Sequence, residues 1–273
     1  MNGQELCRAL RSGRQVYGTL LVSHSPRWPK VVSQCGLDFV FIDTEHIALD
    51  RAELSWMCQT YSALGLAPIV RIPSPDPFAA TMALDGGAVG IVAPYMETVE
   101  QAQTLRGAVK FRPIKGKKLE ALLAGAPCEP ELANYLHKNS ASSALIVNIE
   151  SVAALGALDD ILKVPDLDAV LIGPHDLSCS LGEPEQYGHP RFREAVRAIF
   201  RKARAAGVGA GIHFSGDLEL QAAFLREGAN FLIHSSDIQL FSKTLTEELS
   251  FLRQASGQTP ANETSIATPS VNI

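Results

Sequence analysis

Short runs of apolar residues recur along the chain, at 16–22, 39–43, 67–71, 89–93, 145–149, 169–172, 210–213 and 231–234, each bounded by polar or glycine-containing segments. Most are apolar at nearly every position rather than at alternate ones, which suits strands buried on both faces of a parallel sheet. Between them lie stretches of helical character at 26–35, 51–64, 76–85, 97–108, 151–163, 190–206, 217–227 and 238–254, with a short leading helix near 5–11. Asp50, Ser151 and Asp217 stand where helix N-caps are wanted. Eight strand–helix repeats predict an α/β protein with a (β/α)8 TIM barrel, a fold of about 250 residues. Residues 1–253 form the expected barrel domain, and 254–273, rich in Ser, Thr, Asn, Pro and Ala, an expected disordered tail. A doubly wound sheet is the competing architecture, but the phosphate-cradling motifs G-x-G-x-x-G and G-x-x-x-x-G-K-[ST] are missing.

In such a barrel the chemistry sits at the C-terminal strand ends. There the run Phe39-Val40-Phe41-Ile42 breaks abruptly into Asp43-Thr44-Glu45-His46, the third strand ends in Arg71, and the fifth leads to Glu150. The sixth leads into Gly173-Pro174-His175-Asp176, and the last two end in His213 and His234. His46 with Asp43 three residues before it has the makings of an acid/base pair, the carboxylate orienting the imidazole. Arg71 at the end of an apolar strand needs an anion opposite it, either a ligand or an internal partner such as Glu45. Glu150 and Asp176 from neighbouring strands offer oxygen ligands for a hard divalent cation, Mg²⁺ or Mn²⁺ first. The structural alternative has Glu150 capping the helix that begins near Ser151. The turn at Gly173 and Pro174 leaves the amides of His175 and Asp176 free for a carboxylate or phosphate. His175, His213 and His234 keep a zinc–imidazole alternative open, although no H-x-H or H-E-x-x-H accompanies them.

One connection, from Arg106 to Ser143, is oversized and holds Lys110, Arg112, Lys115, Lys117 and Lys118. It reads either as a solvated loop or as an anion-contacting lid. Composition narrows the partners. A net charge of -5 excludes a sequence-independent nucleic-acid binder, no apolar run approaches the length of a membrane span, and five scattered cysteines without C-x-x-C fit a reducing cytoplasm.

The segments Phe41-Ile42-Asp43-Thr44-Glu45-His46, Val70-Arg71, Pro94 to Ala102, Ile149-Glu150 and Ile172 to Ser178 together resemble the class II pyruvate aldolases of the HpcH/HpaI family. The resemblance runs from about Gly18 to Arg253 and confers specific expectations. Glu150 and Asp176 would hold a divalent cation, with Co²⁺ and Zn²⁺ as further candidates beside Mg²⁺ and Mn²⁺. That cation would chelate pyruvate and stabilise its enolate. Arg71 would stabilise the enolate and a developing alkoxide, His46 oriented by Asp43 would move the proton of the aldol hydroxyl, and the amides after Gly173 would hold the pyruvate carboxylate. Asp85 matches a position near a subunit boundary, in hexamers assembled as trimers of dimers.

The chain departs from the family pattern at Leu20, where Trp is usual, at Asn148 for Gln, at His175 for Ala and at His213 for Leu. The G-x-R-G loop stands as Lys115-Gly116-Lys117-Lys118. The resemblance therefore implies a kept pyruvate half and an altered acceptor half of the site, with Leu20, Asn148, Gly173, Pro174, His175 and His213 as substrate-side residues. The leading expectation is a lyase that reversibly cleaves a 4-hydroxy-2-oxo acid to pyruvate and an aldehyde. Oxaloacetate decarboxylation, or a synthase joining the same enolate to another electrophile, is the first alternative. A non-catalytic oxo-acid-binding protein is the second.

Overall fold

A computed structural model describes residues 1–257, and in it eight parallel strands close into a barrel in the order β1 to β8. They are β1 (Val16–Leu20), β2 (Phe39–Asp43), β3 (Ala67–Arg71), β4 (Gly90–Ala93), β5 (Ala144–Asn148), β6 (Ala169–Ile172), β7 (Gly209–Phe214) and β8 (Phe231–Ser236). Twelve helices surround them among the described residues. The expected TIM barrel is therefore the observed one, with most strand boundaries within two residues of those read from the sequence.

Strand pleating sorts the apolar residues into two cores. Phe39, Phe41, Ile69, Val92, Ile146, Leu171, Phe231 and Ile233 fill the barrel interior, whereas Val40, Ile42, Val70, Ile91, Val147, Val170 and Ile172 pack outward against the helices. The interior is tight: a Cβ on Gly211 would lie 2.3 Å from the Phe231 ring, so this position admits only glycine. The leading helix α1 (Gly3–Ser12) inserts Leu6, Cys7, Ala9 and Leu10 into the interior core and closes the N-terminal end.

Three expectations change. The oversized connection is not a loop: after α5 (Val99–Lys110) it folds into α6 (Gly116–Leu123) and α7 (Pro130–Ser140). Since α5 runs back from the strand ends, this cationic segment lies at the N-terminal end, which removes the reading of an anion-contacting lid for this chain's own site. Three of its cations are paired within the chain, Lys110 with Asp168, Arg112 with Asp85 and Lys118 with Glu129. The connection between β6 and β7 likewise carries an extra short helix, α9 (Pro174–Ser180), before α10 (Pro190–Ala205). Finally, α12 (Asp237–Ala255) continues through two residues of the expected tail; residues 258–273 of that tail lie outside the described residues.

Candidate active site

Period-two alternation decides which strand-end side chains enter the mouth. Asp43 follows Phe39 and Phe41, Arg71 follows Ala67 and Ile69, and Asn148 and Glu150 follow Ala144 and Ile146, all on the interior face. They surround a cavity of about 380 Å³ that His46, Arg71, Asn148, Gly173, His175, Asp176 and His213 help to line.

Arg71 is clasped by two acids. Its Nε and Nη2 donate to Asp43 Oδ1 and Oδ2 at 2.8 and 2.7 Å, and Nε also stands 3.2 Å from Glu45 Oε2. Burial opposes the Asp43 charge, but the hydrogen bonds and charge of Arg71 outweigh it and hold the carboxyl below its ordinary range. The internal ion pair foreseen for Arg71 thus exists, with Asp43 as the principal partner and Glu45 as the second. This corrects the expected pairing of Asp43 with the His46 ring: Asp43 accepts the backbone N–H of His46 at 3.3 Å, while the imidazole Nε2 faces Glu45 Oε1 at 3.7 Å.

Glu150 and Asp176 meet across Gly173. The point where a Cβ on Gly173 would stand is 2.7 Å from Glu150 Oε2 and 3.5 Å from Asp176 Oδ2, so the absent side chain leaves room between the two carboxylates. Ser151, not Glu150, caps helix α8 (Val152–Ile161). Burial raises the Glu150 pKa, and the charges of Asp176 and Glu45 add to it, against the lowering by hydrogen bonds from the Tyr95 N–H at 2.8 Å and the Asn148 amide at 2.8 Å. Asn148 Oδ1 is buried without a hydrogen-bond partner in the structure. A buried carboxylate held uncomfortably beside another, with an orphaned amide oxygen next to it, has the chemistry of a divalent cation site, and these residues fit one.

Of the remaining expected residues, His175 and His213 line the cavity, and Pro174 supports the same turn. Burial and the charge of Arg71 push His213 down to about 4, so its ring is neutral near pH 7, with Nε2 3.3 Å from the Ser235 carbonyl. Two placements, of Leu20 and His234, differ from expectation. Leu20 is sealed in the interior core and is not among the cavity-lining residues. His234 follows Leu232 on the outer face, where its Nδ1 lies 2.8 Å from Gln221 Oε1, so the three histidines of the zinc alternative do not converge. Asp85 sits at the far end of α4 (Pro77–Asp85), paired with Arg112 at 2.5 Å.

Tyr95 was not singled out as a site residue by the sequence. It adopts φ 54°, a left-handed conformation that costs a tyrosine about 1 kcal/mol or more, and so aims its N–H at Glu150 while its phenol neighbours Glu45. The hydrogen bond to Glu45, then burial, pushes that phenol up to about 12. Its motif, Pro94-Tyr95-Met96-Glu97, was visible; the backbone twist that makes it useful was not.

A closed parallel barrel with acids, a clasped arginine and a histidine gathered at its C-terminal mouth is the architecture of a barrel enzyme. Residues 17–244 match the HpcH/HpaI aldolase/citrate lyase family model, and the chain belongs to that family. It is 31% identical over 258 residues to a 2-keto-3-deoxy-L-rhamnonate aldolase of Klebsiella pneumoniae, across 94% of this chain and 96% of that one. Among solved structures it resembles an HpcH/HpaI aldolase from Desulfitobacterium hafniense (TM-score 0.80, 26% identity, 93% and 98% of the two chains). It also resembles the citrate synthase SbnG (TM-score 0.79, 27% identity, 93% and 99%). The protein is accordingly an enzyme, a carbon–carbon lyase of the metal-dependent aldolase class.

Proposed function

We propose that the enzyme cleaves a 4-hydroxy-2-oxo acid reversibly into pyruvate and an aldehyde, with Glu150 and Asp176 holding Mg²⁺ or Mn²⁺. The observation that carries this reading is the meeting of Glu150 and Asp176 over Gly173, at the wall of the cavity that Gly173 and Asp176 line together with Arg71 and His46. When bound, the cation supplies Lewis-acid polarisation of the 2-oxo acid. Arg71, locked on its Nε/Nη2 edge by Asp43, is left with Nη1 for the keto oxygen as negative charge grows there. The amides of His175 and Asp176 take the carboxylate of the oxo acid. In the cleavage direction His46 accepts the proton of the 4-hydroxyl, the C3–C4 electrons move into the C2 carbonyl to give the enolate, the aldehyde departs, and protonation at C3 yields pyruvate. The aldolase activity named for the 2-keto-3-deoxy-L-rhamnonate relatives, which act on a 2-oxo acid of this kind, supports the substrate class.

Asn148, His175 and His213 are assigned to the acceptor side. With His213 neutral and Arg71 already paired, that wall favours an uncharged, hydroxylated aldehyde over one bearing a second carboxylate. The likeness to a citrate synthase favours one second reading, in which the same enolate arises from oxaloacetate or joins another electrophile. We further read the enzyme as cytoplasmic and as a homo-oligomer, a hexamer built as a trimer of dimers. Its cysteines are unpaired, and no described helix is long and apolar enough to cross a membrane. Phe241, Phe251 and Leu252 stand exposed along α12, which supports association with further copies. For Asp85 the proposal is a place near such a boundary.

Proton NMR of pyruvate in deuterated buffer tests the enolate. With Mg²⁺ or Mn²⁺ present, the methyl signal should vanish at an enzyme-dependent rate; no exchange above the metal-only control overturns both readings. Oxaloacetate, offered beside pyruvate with assorted aldehydes, separates the two.

A further inference from the structure

Asp43 has no acceptor position left for an imidazole. A carboxylate offers about four lone-pair directions. Here Oδ1 takes the Arg71 Nε–H at 2.8 Å and the Glu45 N–H at 2.9 Å, while Oδ2 takes Arg71 Nη2 at 2.7 Å and the His46 N–H at 3.3 Å. The side chain is wholly buried. Reaching the His46 ring would require Asp43 to release a guanidinium it holds at two points.

Glu45 is placed differently. Its side chain is more than nine-tenths buried; Oε2 lies beside Arg71 at 3.2 Å, and Oε1 stands 3.7 Å from His46 Nε2. The Tyr95 phenol neighbours the same carboxylate. The turn that carries both residues is pinned as well, since Thr44 N and Oγ1 donate to the Arg71 carbonyl at 3.0 and 2.7 Å. Glu45 is thus flanked on one side by Arg71 and Tyr95 and open on the other to the imidazole. Hydrogen bonds of this kind are often long before substrate arrives and tighten in the complex.

We propose that Glu45, rather than Asp43, is the positioning residue for His46, turning Nε2 toward its own carboxylate and presenting Nδ1 to the 4-hydroxyl of the substrate. This rests on the aldol reading above. As the 4-hydroxyl proton passes to Nδ1 and the C3–C4 pair moves to the C2 carbonyl, the imidazolium formed directs its second N–H at Glu45 and is stabilised there. Asp43 then has a separate duty, to hold Arg71.

Two measurements test this. In the substrate-free enzyme, two-bond 1H–15N spectra of the neutral His46 ring, assigned by its loss in His46→Ala, should show the proton on Nε2; a ring protonated on Nδ1 overturns the proposal. That readout needs no turnover, so failure of pyruvate to exchange would count against the aldol reading alone. In kinetics, Glu45→Gln should lower kcat about 10- to 100-fold with KM for the oxo acid within about twofold. Asp43→Asn should raise KM. In a His46→Ala background Glu45→Gln should cost nothing further, whereas Asp43→Asn should still impose its loss. Full additivity of Glu45→Gln with His46→Ala overturns the proposal.

Discussion

At the N-terminal end of the barrel, Asp168 is fully buried and fully answered. Oδ1 takes Arg11 Nε at 2.8 Å, and Oδ2 takes Lys110 Nζ at 2.7 Å together with the Leu145 N–H at 2.8 Å. At the C-terminal mouth, Asp43 and Glu45 share the one guanidinium of Arg71 while Glu150 and Asp176 meet over Gly173, and burial raises the pKa of Glu150. Carboxylates of the same chemistry are a clamp at one end and a source of internal strain at the other. A charge neutralised on folding contributes stability; a charge left under-neutralised stores affinity for a ligand still to come. The division follows the barrel's usual separation of a stabilising bottom from a reactive top.

The sharpest way to break this comparison is to exchange activity for stability. Glu150→Gln removes a charge that the fold tolerates poorly, so turnover should fall by about 10³-fold while the melting temperature holds or rises. A clear fall in melting temperature would mean that Glu150 belongs with Asp168. The reciprocal change, Asp168→Ala, leaves Lys110 and Arg11 unanswered and should cost about 3–5 kcal/mol in urea unfolding. In a chain of this size that lowers the melting temperature by about 10 °C, with kcat per folded molecule nearly unchanged.

Loading the mouth should then make it resemble the bottom. Mn²⁺ at a hundred times its dissociation constant should stabilise the protein by about 2.7 kcal/mol, and EDTA should reverse this. Calorimetry of Glu150→Gln should lose most of that gain. The smallest effect concerns His213, whose proton affinity is depressed in the fold, to about 4. Below pH about 6.5 the unfolded chain binds a proton that the folded site refuses, so stability is whole above that pH and drains until about 4. Allowing for partial solvent access, the loss should reach about 2 kcal/mol, and His213→Asn should flatten that part of the profile.

Much of this division was legible in the chain, for a simple reason. A parallel strand buried on both faces must be written in apolar residues, so the eight runs and their polar ends stand out. Parity also carried more than was taken from it: His234 follows Leu232 on the outward register, and Leu20 shares the inward register of Val16 within the packed interior. His234 could have been set aside on period alone, whereas Leu20 shares the register of the mouth residues and is removed only by its depth in the packed interior. Helices α6 and α7 were hidden because each is short and both lie in one connection dense in Lys, Gly and Pro, a composition that reads as loop.

What the sequence by itself determined is the barrel and the end at which its ionisable residues gather, with Asp43, His46, Arg71, Glu150 and Asp176 marked there as candidates. Local patterning suffices for those, because alternation and strand ends are properties of neighbouring residues. Who pairs with whom was decided only by the tertiary structure. Asp43 lies three residues from His46 yet spends its carboxylate on Arg71, across the β2–β3 ladder where the two face each other in register. Tyr95 reaches Glu150 and Glu45 through a backbone twist that no residue pattern announces. Lys110 answers Asp168 from 58 residues away. Charge pairing is a matter of distance in space and of lone pairs already taken, and neither is written in the spacing of the chain.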